Sequence, residues 1–487
     1  MLFNSFSFLI FFPAVALVYF ILPKKIRWVW LLVSSYYFYM SWNALYALLL
    51  FSSTLITWLA GILMSRFTGK DPGSLRKKKA VIAAGIVLNL GILAYFKYFS
   101  FLLNNISSIT SRFNIPLNLP QVDIVLPVGI SFYTFQALGY AIDVYRGDTP
   151  VEKNFFRYAL FVSFFPQLVA GPIERSGSLL KQVNESTSLS YENLRRGFMM
   201  TLCGYFLKVV MADNIAVVVD TVFGEPEKYT GAYVVLATVL FAFQIYGDFG
   251  GYSLIARGVA KMLGFNLMGN FDAPYMSASV SEFWRRWHVS LNKWFRDYVY
   301  IPLGGNRKGT VRKYLNVMAV FLLSGLWHGA SWNFVIWGGL NGIFQVFEGI
   351  LGIGSKKIKT DGQRIFRVIV TFVLVDFTWL FFRAGSTAKA LSMLSGVFTD
   401  PNLWVLFTDD IFTLGLEMKP FIAMVCAIFA VLILDIFKVK GMDLYLWLER
   451  QGFLFRLTVY ALVLGAILTF GAWGGGFNEN TFLYFQF

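Results

Sequence analysis

An all-α, polytopic membrane protein is the fold class this sequence predicts, and three observations carry it. Of 487 residues, 57% are hydrophobic and only 14% charged, where a soluble domain carries about a quarter. Mean hydropathy is +0.61. Apolar stretches of roughly 18 residues or more recur along the chain with basic clusters between them, the pattern of repeated hydrocarbon crossings. In lipid the backbone must satisfy its own polar groups, which helices do. The 42 Lys and Arg against 27 Asp and Glu fall between apolar runs, as cytoplasmic loops do, so nucleic acid is not an expected partner. Cys203 and Cys426 each lie in apolar runs and suggest neither a disulfide framework nor a zinc site.

Residues 6–22 lack a signal-peptide cleavage pattern and read as a retained first span, followed by Lys24, Lys25 and Arg27. Spans at 28–39 and 46–64 come next, then the basic run of Arg66, Lys70, Arg76, Lys77, Lys78 and Lys79. Placing both basic clusters in the cytoplasm puts the N-terminus outside. Residues 81–103 cross back to a polar, almost uncharged outer loop at 104–121. Residues 127–145 contain Pro127, Gly129, Ser131, Thr134, Gln136, Gly139 and Asp143, too polar for a lipid-facing span and suited to a broken or re-entrant helix against a cavity. Pro166 and Gly171-Pro172 interrupt the next stretch. Further spans are expected at 198–223, 233–249, 252–263, 314–326, 334–351, 368–382, 421–437 and 454–470. The total is eleven or twelve spans in one membrane domain over 1–487.

The chain has two histidines, and both fall between Ser281 and Asn333. Residues 279–300 are amphipathic: Phe283, Trp284, Trp287, Leu291, Trp294 and Phe295 recur at helical steps among Arg285, Arg286, Lys293 and Arg296. That pattern predicts an interfacial helix with arginines toward headgroups and tryptophans toward acyl chains. His288 rides on it, either touching a donor or its pathway or serving as an interfacial side chain. His328 lies about 22 Å of helical rise beyond Lys313, within hydrocarbon depth. There the neutral imidazole is favoured and its pKa biased downward. A neutral histidine can take a hydroxyl proton as that oxygen attacks an acyl carbonyl; the alternative is a structural histidine bonding a neighbouring helix. Ser331, Trp332 and Asn333, on the far side of the break, can orient the ring or the substrate. Neither histidine begins an H-x-x-x-x-D motif, because Asn333 and Lys293 stand at the fifth position. Ser324 precedes His328 by four, but no nucleophile elbow surrounds it, and no metal cluster is expected. Asp143, Asp213, Asp248, Asp376 and Asp435 lie in or near apolar runs, where an acid is either functional or bridged to a buried cation such as Lys208 or Arg257. Asp248 stands in Tyr246-Gly247-Asp248-Phe249-Gly250-Gly251, whose glycines allow a helix break and close approach of a substrate.

The runs Trp284-Arg285-Arg286-Trp287-His288, Trp294-Phe295-Arg296-Asp297-Tyr298 through Ile301-Pro302-Leu303-Gly304-Gly305-Asn306-Arg307, and Gly325-Leu326-Trp327-His328-Gly329-Ala330 closely resemble the membrane-bound O-acyltransferase family. The best match is its alginate O-acetyltransferase membrane-subunit branch. Residues 127–136, 165–173 and 482–487 resemble the same branch. The resemblance implies a ring of tilted helices with funnels from both sides, and a catalytic core over about 125–351. It implies His328 as the active-site histidine and His288 as the second histidine position. Supporting places fall to Trp327, Ser331, Asn333, Asp248, Tyr246, Arg296 and Asp297. It further implies transfer of an acetyl group from a cytoplasmic acyl thioester, such as acetyl-CoA, to an extracytoplasmic polysaccharide. No bound cofactor or metal is implied; the partners are an extracytoplasmic acetyltransferase, the polymer and lipid, in a bacterial plasma membrane. Leu254 departs from the family, which often carries an acid after the Tyr-Ser pair that stands here as Tyr252-Ser253. D-alanyl transfer to teichoic acid is the rival within the family. A polysaccharide or lipid transporter that makes no bond is the rival outside it.

Overall fold

The computed structural model describes the chain except at positions 68, 70, 170 and 186 and over residues 116–123 and 474–487. The run 482–487 and the end of the outer loop expected at 104–121 therefore lie outside the described residues. Regular structure among the described residues is helical throughout. Among the described residues, eight helices are long and apolar enough to cross a membrane. The eleven or twelve expected spans also included helices that are shorter or more polar than these. The chain forms two compact units, Met1–Leu194 with Val259–Met268, and Arg195–Gly258 with Gly269–Phe487.

The first unit contains α1 (Phe6–Ile21), α2 (Arg27–Met40), α3 (Tyr46–Arg66), α4 (Pro72–Arg112), α5 (Ile130–Arg146), α6 (Phe155–Ser163), α7 (Phe165–Leu168) and α8 (Lys181–Asn184). Helix α4 begins at an Asp71 cap with Pro72 in its first turn, the arrangement that favours a helix start. It takes in Arg76, Lys77, Lys78 and Lys79 of the basic run and continues past residue 103, contrary to the expected polar loop. The reason is local: Asn105, Ser108, Thr110 and Ser111 bond the carbonyls four residues back, so polar side chains ride on the helix without competing for its backbone. Its 41 residues reach roughly 60 Å.

Helix α5 is unbroken, again contrary to expectation, but its polarity is explained. Ile130 through Ala141 are buried in protein, packed against α3, α4 and α6. Gln136 Nε2 donates to the Phe161 carbonyl at 2.6 Å, and Gln167 Nε2 donates to Gln136 Oε1 at 2.6 Å. Protein partners replace the cavity that the sequence suggested. The break falls later, between α6 and α7.

The second unit is built on α9 (Tyr191–Tyr205), a π turn over Phe206–Ala212, α10 (Asp213–Gly224), α11 (Ala232–Met262), α12 (Val280–Arg286), α13 (Val289–Phe295), α14 (Thr310–His328), α15 (Trp332–Leu351), α16 (Asp361–Arg383), α17 (Thr387–Thr399), α18 (Met418–Val439), α19 (Leu444–Glu449) and α20 (Phe453–Phe470). The π turn widens the helix and frees carbonyls: Val209 O accepts from Ala472 N, and Val210 O accepts from Asn214 Nδ2. Spans expected at 233–249 and 252–263 are one continuous helix, α11. Its glycines mark a close helix crossing, not a break. A Cβ on Gly251 would stand 2.7 Å from the Gly204 carbonyl, and one on Gly247 would stand 2.9 Å from the Leu207 carbonyl.

Because backbone, not a flexible side chain, faces Gly251, Gly251→Val should cost about 1–3 kcal/mol through overpacking. Gly465→Ala, whose Cβ meets nothing within 4 Å, should leave stability unchanged. Thermal unfolding of the two variants in detergent checks this.

Candidate active site

Helices α12 and α13 hold His288 between them. Ser279 Oγ accepts from Glu282 N at 3.1 Å, and Glu282 Oε2 accepts from Ala278 N at 2.9 Å, a reciprocal cap. Glu348 of α15 accepts from Val280 N and Ser281 N at 2.9 and 2.8 Å. The helix start is thus fixed from two sides. At its other end His288 takes a left-handed conformation, φ 43°, uncommon for a residue with a Cβ. Asn292 Nδ2 donates to the carbonyls of Trp284 and Trp287, both at 2.6 Å, and Asn270 O accepts from Val289 N at 2.9 Å.

This geometry corrects the interfacial-helix expectation. Instead of one helix along 279–300 there are α12 and α13, each seven residues, with a kink at His288 and a π turn over Arg296–Tyr300 that continues α13. Trp284, Trp287 and Trp294 are buried in protein and face no acyl chains. Trp284 Nε1 donates to Asn341 Oδ1 at 3.2 Å. Arg285, Lys293 and Arg296 remain exposed. His288 is 1% exposed; burial pushes its pKa down to about 3, which keeps the ring neutral.

His328 ends α14. The three-residue link Gly329–Ser331 turns the chain back into α15, and the two helices cross at glycines. Gly325 lies against the Phe334 carbonyl and Gly338 against the Phe321 carbonyl, each too close for a Cβ. The His328 ring is therefore set among aromatic edges, with centroids 5.0 Å from Trp337, 5.4 Å from Phe382 and 4.8 Å from Trp327. Trp337 stacks on Trp379 at 5.7 Å. Trp327 lies 6.0 Å from His288, and His288 packs edge-on to Phe249 at 4.7 Å. One tryptophan thus packs near both histidine rings.

The other expected residues divide. Ser331 Oγ bonds Asn333 Oδ1, and Asn333 Nδ2 donates to the Phe381 carbonyl at 3.3 Å, so this pair ties the start of α15 to α16. Asp248 is a partner of Lys208 Nζ at 2.6 Å, and Lys208 also pairs with Asp213 at 2.7 Å. All three are buried, the bridged-acid reading. Tyr246 OH donates to Asp435 at 3.0 Å. Asp143 accepts from Ser176 Oγ at 3.3 Å, and Asp376 is half-buried. Arg296 pairs with adjacent Asp297 at 2.7 Å on the surface. Among the described residues no group of three or more His, Cys, Asp or Glu is gathered to hold a metal ion.

Arg296 also lines a cleft of about 500 Å³. Arg285, Lys293 and Lys313 supply three further cations, while Trp284, Phe295 and Phe321 supply apolar wall. The cleft follows α14 from Lys313 to Ser324, one helical turn short of His328. Sequence reasoning missed Trp337, Phe382 and Lys313 as parts of this region. The doublet Gly338-Gly339 after Trp337 was a usable signal of close helix approach; nothing local marks Phe382.

The family model described as "MBOAT, membrane-bound O-acyltransferase family" matches residues 150–388. A probable alginate O-acetylase of Pseudomonas putida is 39% identical over 405 residues, 82% of this chain and 80% of the relative. A peptidoglycan O-acetyltransferase of Helicobacter pylori is 33% identical over 429 residues, with the same shares of 82% and 80%. A teichoic acid D-alanyltransferase of Streptococcus thermophilus is 30% identical over 259 residues, 49% of this chain and 60% of the relative.

Lys208→Met leaves two buried carboxylates without their cation and should cost about 3–5 kcal/mol. Adding Asp213→Asn and Asp248→Asn should recover most of the loss, read as the unfolding temperature of the single and triple variants.

Proposed function

The chain belongs to the membrane-bound O-acyltransferase family and is a multi-pass membrane O-acyltransferase, and on that premise we propose that it moves an acetyl group from a cytoplasmic acyl thioester toward an extracytoplasmic polysaccharide, with His328 as general base. One observation carries the proposal. A buried imidazole framed by aromatic rings stands one helical turn beyond a cleft bearing four cations. A phosphate-bearing thioester such as acetyl-CoA suits that cleft: its phosphates meet Arg285, Lys293, Arg296 and Lys313, and its apolar pantetheine arm follows the wall toward His328.

The chemistry then needs no group beyond the chain and its two substrates. His328 accepts the proton of the acceptor hydroxyl as that oxygen attacks the thioester carbonyl carbon. The C–O bond forms, the tetrahedral centre collapses, the C–S bond breaks, and the departing thiolate takes the proton from the imidazolium. His288, across Trp327, helps hold the arrangement that receives the thioester, and Trp327 separates the two rings. The acceptor hydroxyl belongs to the polymer or to an extracytoplasmic acetyltransferase that completes the transfer. Alginate and peptidoglycan are the polymers named for the relatives matched over most of the chain. The shorter match to the D-alanyltransferase favours acetyl over D-alanyl, and family membership favours bond making over export alone.

His328→Ala should lower acetyl incorporation in membranes by about 10²–10⁴-fold, the usual contribution of a general base, with the protein still folded. Incorporation that persists at the wild-type rate would remove His328 from the reaction. Separately, Arg285→Gln with Lys293→Gln should raise the donor KM at least tenfold while changing kcat little, because those cations stand away from the reacting carbonyl. Initial rates against acetyl-CoA concentration check this.

A further inference from the structure

We propose that a basic pocket at the end of α1 and the start of α2, in the first unit and apart from His328, holds the phosphate headgroup of an anionic phospholipid. The pocket encloses about 240 Å³, room for a glycerophosphate group. Lys24, Lys25, Arg27 and Arg157 line it against one carboxylate, Glu185. Local charge is therefore strongly positive in a small space.

Two of those cations are held in place by neutral partners. Arg27 donates from Nε to Leu22 O at 2.9 Å, from Nη1 to Thr187 O at 2.8 Å and from Nη2 to Phe20 O at 3.0 Å. Its guanidinium also lies 5.3 Å from the Tyr19 ring centroid. Arg157 donates to Asn184 Oδ1 at 2.7 Å and lies 5.5 Å from the Trp28 ring centroid. Among the described residues no ion pair joins any of the four cations to a carboxylate. Carbonyls and rings orient the guanidiniums without neutralising them, so the charge stays available to an anion. Lys24 and Lys25 are exposed and complete the rim.

A lipid suits this place better than a soluble phosphate. Helix α1 exposes Leu17 and Ile21 at 65% and 73%, and α2 exposes Val29 and Val33 at 40% and 55%. In a bilayer these apolar faces meet acyl chains, so a phosphodiester seated among the cations has tails with a surface to follow. Tyr19 and Trp28 line the pocket and are of the residue types enriched at membrane interfaces, and basic pockets between membrane helices recognise such headgroups.

Native mass spectrometry of the full chain released from nanodiscs tests this. With phosphatidylglycerol present, a retained lipid is expected on the wild type, and none with phosphatidylcholine alone. Lys24→Gln with Lys25→Gln, both surface positions, should weaken retention about tenfold or more, and Arg157→Gln should do the same. If Arg157→Gln fails to fold, the lysine pair alone decides. Equal retention of both lipids, or retention unchanged in the lysine pair, would overturn the assignment. So would inorganic phosphate stabilising the lipid-free protein in detergent as strongly as phosphatidylglycerol, since the site would then serve a soluble anion.

Discussion

Everything proposed for His328 depends on how closely α14 and α15 can approach. At Gly325 and Gly338 the backbone of one helix lies against a carbonyl of the other, with no space for a methyl group. In lipid, where apolar burial gives little drive for helix association, such close backbone packing is a main source of affinity between helices. The crossing has a chemical consequence. It brings the Trp337 ring up to His328 and leaves the imidazole at the head of α14 bounded by Trp327, Trp337 and Phe382. A single added Cβ at either glycine would meet the facing carbonyl and force the two helices apart.

Around this crossing, several deep polar groups are tied to named partners. Glu348 accepts two backbone N–H groups at the start of α12. Asn341 receives Trp284 Nε1 and donates to Trp337 O and Thr378 Oγ1. Lys208 joins Asp213 and Asp248. Each tie protects a buried dipole or charge that would otherwise be costly in apolar surroundings. The cations of the cleft, in contrast, are concentrated along one side and reach toward solvent. Of these cations Arg296 pairs with Asp297, while Arg285 and Lys293 are exposed and are the charges an anionic donor would meet.

Much of this was legible in the sequence, unevenly. Residues 6–22, 28–39 and 46–64 read as helices because composition alone decides a membrane span, and the structure places α1, α2 and α3 there. His328 could be singled out as a candidate because an imidazole between Gly325 and Gly329 in an apolar run reads either as a base or as a structural histidine. The segment 279–300 misled because an amphipathic pattern looks the same whether its apolar face meets lipid or protein. Gly250-Gly251 misled for a related reason: glycine marks both breaks and close approaches, and only Gly204, far off in sequence, decides between them. The aromatic frame of His328 was legible only in part: Gly338-Gly339 marks a close approach beside Trp337, whereas Phe382 reaches the ring only through tertiary packing.

The most direct test is a structure of the chain bound to a nonhydrolysable thioether analogue of acetyl-CoA. The account predicts phosphates within hydrogen-bond distance of Arg285, Lys293, Arg296 or Lys313, and the atom replacing the thioester carbonyl carbon within about 3–3.5 Å of the acceptor-oxygen position next to the His328 imidazole. An analogue seated elsewhere, or one whose reactive end is screened from that imidazole by Trp327 and Trp337, would contradict it.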